Sequence, residues 1–345
     1  MEIGVSMFGD LGYDAATRTF QSPQTRLQEM IAEIKLADEV GLDVFGIGEH
    51  HRPDFSVSSP EIILAAAATV TKRIKLASAV TVLSSTDPVR TYQNFATVDL
   101  LSNGRAELTA GRGSFTESFP LFGYDLRDYN SLFAEKLQLL LAINDNEVIS
   151  WQGKHRAALE QQQVLPRAVD NHLDIWIAVG GTPESVVRAA RLGLPLVIAI
   201  IGGMPRQFQP FFELYKEEYL NAGHDPSKMR LATHSHGLVG EDGRALADRY
   251  FPHYERQMDR IGRDRGWPPY SRQQFESGRG REGALLIGEP NEVIDKILYH
   301  QEMFGLTRFV MHVDVGAPSH QDLMKTIELL GTQVAPAVRK AVTAK

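Results

Sequence analysis

The sequence predicts one eight-stranded parallel β/α barrel, and three observations carry that expectation. Short apolar runs rich in β-branched residues alternate with longer segments of helical period, the signature of repeated β–α–β units. The apolar runs number eight. The intervening segments open on helix-start signals and close on glycine.

In chain order the strand candidates are Ile3–Met7, Asp43–Gly48, Ile74–Leu83, Arg105–Ala110, Leu173–Val179, Pro195–Ile201, Arg230–Val239 and Arg308–Val313. The stretch from Leu196 to Ile201 is apolar throughout, as a parallel strand covered on both faces requires. Between the first two strands, Thr25–Val40 places Leu27, Met30, Ile31, Ile34 and Ala37 on one helical face. Pro88–Leu101 starts with Asp87 as N-cap and proline at the first helical position. Thr182-Pro183-Glu184 and Ala317-Pro318-Ser319 open two further helices the same way, while Gly41 and Gly193 end others.

Eight such units need roughly 250 residues, so a 345-residue chain is a single barrel domain, 1–345, with about 100 residues of insertion. The surplus falls at Gly113–His172, after the fourth strand, and at about Phe251–Phe304, between the seventh and eighth. The second insertion contains Arg265-Gly-Trp-Pro-Pro-Tyr270 and Ser277-Gly-Arg-Gly-Arg-Glu-Gly283, a composition that predicts irregular structure and a lid loop. An open doubly wound sheet is the alternative architecture, but no topological break divides the eight units.

Composition narrows function by exclusion. Thirty-six Lys and Arg against 43 Asp and Glu give no electrostatic reason for a nucleic-acid or anionic-membrane partner. Absence of cysteine removes disulfides, thiolate metal sites and a cysteine nucleophile. The start MEIGVSMFGD lacks a basic, apolar, small-residue leader pattern, and no 18-residue apolar run occurs, so a soluble cytoplasmic protein is expected.

A barrel carries its active site at the C-terminal ends of its strands, which gives weight to four groups there. Glu49-His50-His51 follows the second strand and offers proton chemistry near neutrality. His234 and His236 on the seventh strand, with His312 and Asp314 on the eighth, share strand faces and with His50 and His51 compose a possible metal set. Gly111-Arg112-Gly113-Ser114 follows the fourth strand, and Val179-Gly180-Gly181-Thr182-Pro183-Glu184-Ser185 follows the fifth. Arginine and a glycine turn feeding a helix N-terminus both suit an anion, and together they indicate a phosphate-bearing ligand. Neither a G-x-G-x-x-G fingerprint nor a Walker loop is present, so nicotinamide or ATP binding is not indicated.

Six segments stand in an order that resembles the bacterial luciferase-like flavin-dependent monooxygenases. They are 41–51 (GLDVFGIGEHH), 75–83 (KLASAVTVL), 87–93 (DPVRTYQ), 99–105 (DLLSNGR), 110–114 (AGRGS) and 178–185 (AVGGTPES), followed by the closing 312–320 (HVDVGAPSH). The resemblance implies a (β/α)8 barrel, usually a homodimer, that binds FMN or a deazaflavin at the strand C-termini. It implies a monooxygenase consuming O2 and reduced FMN, delivered by a separate flavin reductase, on a small organic substrate. On this likeness His50 matches the functional histidine, with Glu49 orienting its ring and His51 lining the pocket. Ala79-Val80 matches the bulge that backs the flavin ring, often through a non-prolyl cis peptide, and Thr81 follows on the same turn. Arg112, Gly180, Gly181 and Thr182 match positions near the flavin phosphate. Luciferases place a second arginine near Asn130, whereas here the nearest in sequence is Arg127. The lid arginines Arg263, Arg265, Arg272, Arg279 and Arg281 offer an anionic substrate a partner or else keep an exposed loop soluble. A metal-dependent barrel hydrolase and a non-catalytic flavin-binding protein are the rival readings.

Overall fold

A computed structural model describes residues 1–14, 16–113 and 115–344. The eight expected strands form: β1 Glu2–Met7, β2 Val44–Ile47, β3 Lys75–Ser78, β4 Ala106–Gly111, β5 Asp174–Val179, β6 Leu196–Ala199, β7 Leu231–Val239 and β8 Arg308–His312. All pair in parallel, in the order β5-β6-β7-β8-β1-β2-β3-β4, and β4 pairs back to β5 to close the barrel. The ring closes because Gly4 meets Val44 on one side of β1 and Val310 on the other, and so on around. No pair is antiparallel within the barrel, which is why the strands read as apolar runs and not as alternating ones.

The helices are α1 Pro23–Glu39, α2 Pro60–Ala68, α3 Pro88–Ser102, α4 Tyr129–Asp145, α5 Pro183–Arg191, α6 Gln209–Asn221, α7 Gly243–Arg265, α8 Arg272–Arg279, α9 Pro290–Phe304, α10 His320–Leu329 and α11 Ala335–Thr343, among shorter turns. Several starts follow the expected chemistry, although the helix expected from Ala317-Pro318 begins at His320, with Ser319 as its N-cap. Asp87 accepts from the amides of Val89 and Arg90, and Ser319 accepts from that of Asp322. Gly41 and Gly193 take positive φ where helices turn into strands. Side chains of β1, β2, β8 and the inner faces of α1, α3, α9 and α10 form one continuous apolar core.

Two departures matter for the site. The third strand does not run unbroken from Ile74 to Leu83: it stops at Ser78, passes through a cis peptide between Ala79 and Val80, and resumes at Thr81–Val82 beside β4. The segment 251–304 is not an irregular loop. It holds the C-terminal two-thirds of the 23-residue α7, which accommodates Pro252, then α8, a three-residue strand Leu286–Gly288 paired in parallel with the end of β7, and α9. Only short stretches at 266–271 and 280–285 are irregular. Composition misled here because glycine, proline and arginine sit at the helix ends: Gly266 takes positive φ as the C-cap of α7, and Ser271 caps α8.

Candidate active site

At the C-terminal mouth of the barrel a cavity of about 480 Å³ opens among the βα segments. Of the residues expected there, Glu49, His50, Ala79, Val80, Arg112, Gly180 and Thr182 form its wall. Thr81 does not: it is buried behind the bulge, and its Oγ1 has no partner among the described residues. Gly181, with φ of 118°, joins two wall residues. Ser114 lies outside the described residues.

The bulge is shaped by two glycines facing it. A Cβ on Gly46 would stand 2.9 Å from that of Ala79, and one on Gly111 would stand 2.5 Å from Cγ2 of Val80. A larger residue at Gly46 or Gly111 would press on the side chains of Ala79 or Val80.

His50 and His51 leave β2 in different directions and take different carboxylates. The His51 ring bonds Glu49 through Nε2 at 3.0 Å, and the other oxygen of Glu49 accepts from the amide of Val82 at 2.9 Å. Glu49 therefore does not orient His50, as the sequence suggested; it ties His51 to the third strand. His50 turns into the cavity, where its ring stacks on Phe55 at 4.3 Å and meets Phe8 and Phe115 edge-on at 4.7 and 4.9 Å. Its Nδ1 lies 3.4 Å from Oε1 of Glu117, a residue that sequence reasoning missed. Burial disfavours ionisation of Glu117, but hydrogen bonds from the His50 ring and from backbone amides outweigh it and hold the carboxyl below the usual range.

His234, His236 and His312 floor the cavity. Burial pushes each down to about 3, so all three are neutral near pH 7. His236 Nδ1 bonds the Tyr254 hydroxyl at 2.9 Å, and His312 Nδ1 the Ser6 hydroxyl at 3.1 Å. Asp314 accepts from the amides of Phe8, Gly9 and Asp10 at 3.0, 2.7 and 3.2 Å. Its carboxylate is thus spent on the β1 loop, and among the described residues no three His, Asp or Glu side chains are grouped to hold a metal ion.

The opposite end of the cavity is cationic. Arg112 donates to Asn130 Oδ1 at 2.8 Å and to Thr182 Oγ1 at 3.0 Å, with its guanidinium over the Tyr129 ring. Thr182 is the N-cap of α5 and its side chain makes no cap bond; Pro183 brings no N–H, and the Ser185 amide donates to the Thr182 carbonyl at 3.0 Å, so the helix start adds its dipole more than free donors. Arg127 is not the second cation: it pairs with Asp125 and its side chain is 90% exposed. Arg188, two turns into α5, stands close enough for burial and the charge of Arg112 to lower it. Its distance from the 110–114 motif in sequence hid it, although its place on the helix opened by Thr182 was a usable signal.

The lid arginines scatter. Arg265 lines the cavity beside Phe115 and Trp267. Arg272 pairs with Asp248 and Glu276, Arg279 with Glu276, and Arg281 lies over Tyr299. Arg263 faces a separate cavity.

Comparison with known proteins places this closed barrel, with its histidine-and-arginine rim and its backbone bulge in the third strand, in a known class of enzyme. Residues 1–307 match the luciferase-like monooxygenase family, and the chain belongs to it. It is an enzyme of the flavin-dependent monooxygenase class. An uncharacterised protein of Sinorhizobium fredii is 24% identical over 95% of this chain and 96% of its own length. The alkanal monooxygenase α chain of Photorhabdus luminescens is 27% identical over 60% of this chain and 58% of its own. The N-acetyl-S-alkylcysteine monooxygenase of Bacillus subtilis is 30% identical over 50% and 51%. The chain thus spans between half and three-fifths of these two functionally named relatives. Among solved structures, the monooxygenase RslO1 of Streptomyces bottropensis shares the fold with a TM-score of 0.85, at 24% identity over 97% of this chain and 99% of that one. The oxygenating constituent of 3,6-diketocamphane monooxygenase of Pseudomonas putida, solved with FMN, shares it at 0.77, with 21% identity over 97% and 98%. A coenzyme F420-dependent tetrahydromethanopterin reductase of Methanopyrus kandleri shares it at 0.73, with 19% identity over 97% and 98%. Among the described residues no helix is long and apolar enough to cross a membrane.

Proposed function

We propose that the enzyme uses reduced FMN and O2 to oxygenate a small apolar organic substrate. The observation that carries this is the make-up of the cavity wall: Arg112, bonded to Thr182, and a set of aromatic side chains around His50. The residues fit the cofactor. The phosphate would rest on Arg112 and Thr182 at the positive end of the α5 dipole. Gly180 leaves that approach open, since a Cβ there would meet nothing within 4 Å. Ala79 and Val80 would back the ring system.

Bound in reduced form, FMN would supply the electrons and the site of O2 activation. The chain's own residues then do the rest. Phe8, Phe55, Phe115 and Ile261 exclude water and favour an apolar substrate. His50, anchored at Nδ1 by Glu117, keeps Nε2 to give or take a proton. Because the chain has no nicotinamide fingerprint, a separate reductase would provide the reduced flavin. We place the enzyme in the cytoplasm as a homodimer, on the family resemblance.

Titrating the protein with FMN, reduced FMN and a deazaflavin, read by fluorescence and absorbance, tests this. Saturable binding of FMN or its reduced form supports the proposal. Exclusive binding of the deazaflavin would replace the cofactor, and no binding of any of the three would end the flavin reading.

A further inference from the structure

Beside the active cavity lies a second one of about 300 Å³, enclosed between α7 and the segment that follows β1. One helical face of α7 lines it with His253, Arg256, Gln257, Arg260 and Arg263, at the spacing that places residues on one side of a helix. The opposing wall is apolar and aromatic, made by Leu11, Tyr13 and Phe20, whose two rings meet at 5.2 Å. Gly316 closes the floor: it takes φ of 72°, and a Cβ there would stand 2.3 Å from the His253 carbonyl oxygen.

A solvated helix face usually balances such a run of cations with nearby acids, and this one does so only in part. Arg260 pairs with Asp54 at 3.2 Å and lies over the Phe20 ring. Asp264 is held by Arg52 at 2.8 Å. Among the described residues, Arg256 and Arg263 have no carboxylate within ion-pair distance; Arg256 reaches only the Tyr13 carbonyl and ring. His253 Nδ1 is buried with no partner among them, and Gln257, 9% exposed, makes no hydrogen bond and lines both cavities. The cavity therefore offers two guanidiniums with no carboxylate at ion-pair distance among the described residues, an unpaired imidazole nitrogen and an amide without a hydrogen bond, facing rings.

We infer that this cavity is a second ligand site, for a small aromatic carboxylate. The forked guanidiniums take the carboxylate and the Leu11–Phe20 wall takes the ring. Gln257 forms the shared wall, so the ligand sits next to the active cavity without entering it. The inference does not depend on the cofactor, because none of the three arginines lines the active cavity.

Calorimetric titration of the whole chain with benzoate, inorganic phosphate and benzylamine tests it. Benzoate should saturate, phosphate should bind more weakly and benzylamine not at all. The double variant Arg256→Gln/Arg263→Gln should bind benzoate at least about tenfold more weakly, with its circular dichroism and its FMN titration unchanged; both side chains are exposed, so folding should tolerate the change. Phe20→Ala should weaken benzoate independently by removing the ring wall. Benzoate that fails to saturate, or that binds the double variant as tightly, would overturn the site; phosphate binding more tightly than benzoate would overturn the aromatic assignment.

Discussion

His50 and Glu117 come within 3.4 Å of each other at the cavity wall, although 67 residues separate them. The same Glu117 oxygen also faces the amide of His51 at 3.4 Å, so one carboxylate holds the His50 ring and the backbone of the residue that follows it.

Removing the charge while keeping the shape separates anchoring from packing. In Glu117→Gln, flavin affinity should hold, while turnover should fall and the acid limb of its pH profile should move. His50→Ala should cost more, roughly 10² to 10⁴-fold. Steady-state rates across pH decide it: a Glu117→Gln profile that superimposes on wild type would remove Glu117 from the mechanism.

Arg112 and Arg188 should both matter for flavin phosphate, and Arg127 should not. We expect Arg112→Ala to weaken FMN at least about tenfold, Arg188→Ala to weaken it less, and Arg127→Ala to match wild type, since its pairing with Asp125 is wholly at the surface. Quenching of FMN fluorescence gives the three constants. Equal losses for Arg127→Ala and Arg112→Ala would refute the assignment.

Gly111→Ala probes the bulge. The new methyl would press on Val80, and overpacking of this kind costs about 1–3 kcal/mol. Melting temperature should drop and FMN binding should weaken together. A variant as stable as wild type with undiminished FMN affinity would show that the bulge is not held from β4.

His300 supplies a pH prediction outside the site. It is fully buried on α9, and neither ring nitrogen has a partner among the described residues. Burial, aided by the charge of Lys296, pushes it down to about 3. An unfolded histidine takes up a proton near pH 6.5, whereas this one stays neutral down to about 3. Stability should therefore fall as pH drops through that window, by up to about 1.4 kcal/mol per pH unit from this residue. His300→Phe should flatten the decline of the urea midpoint between about pH 7 and about pH 5; the other buried histidines keep some slope. Parallel curves for the two proteins would contradict the account.

By itself the sequence determined the barrel, the order of its strands, most helix starts and the position of His50 at the rim. Those features rest on local signals: apolar period, an N-cap such as Asp87, a turn glycine such as Gly41, and the side of a strand on which a motif falls. Resemblance added the bulge at Ala79–Val80 and the Arg112–Thr182 end. Tertiary structure alone decided who pairs with whom. Glu49 went to His51 because its other oxygen is claimed by Val82, and Glu117 reached His50 from an irregular segment with no period to read. It also put α7 and α8 on either side of the glycine- and proline-rich turn at 266–271, and sorted the α7 arginines between two cavities. Such outcomes depend on which distant segments pack together, and a side chain two residues past a strand end can face either way until its neighbours fill one side.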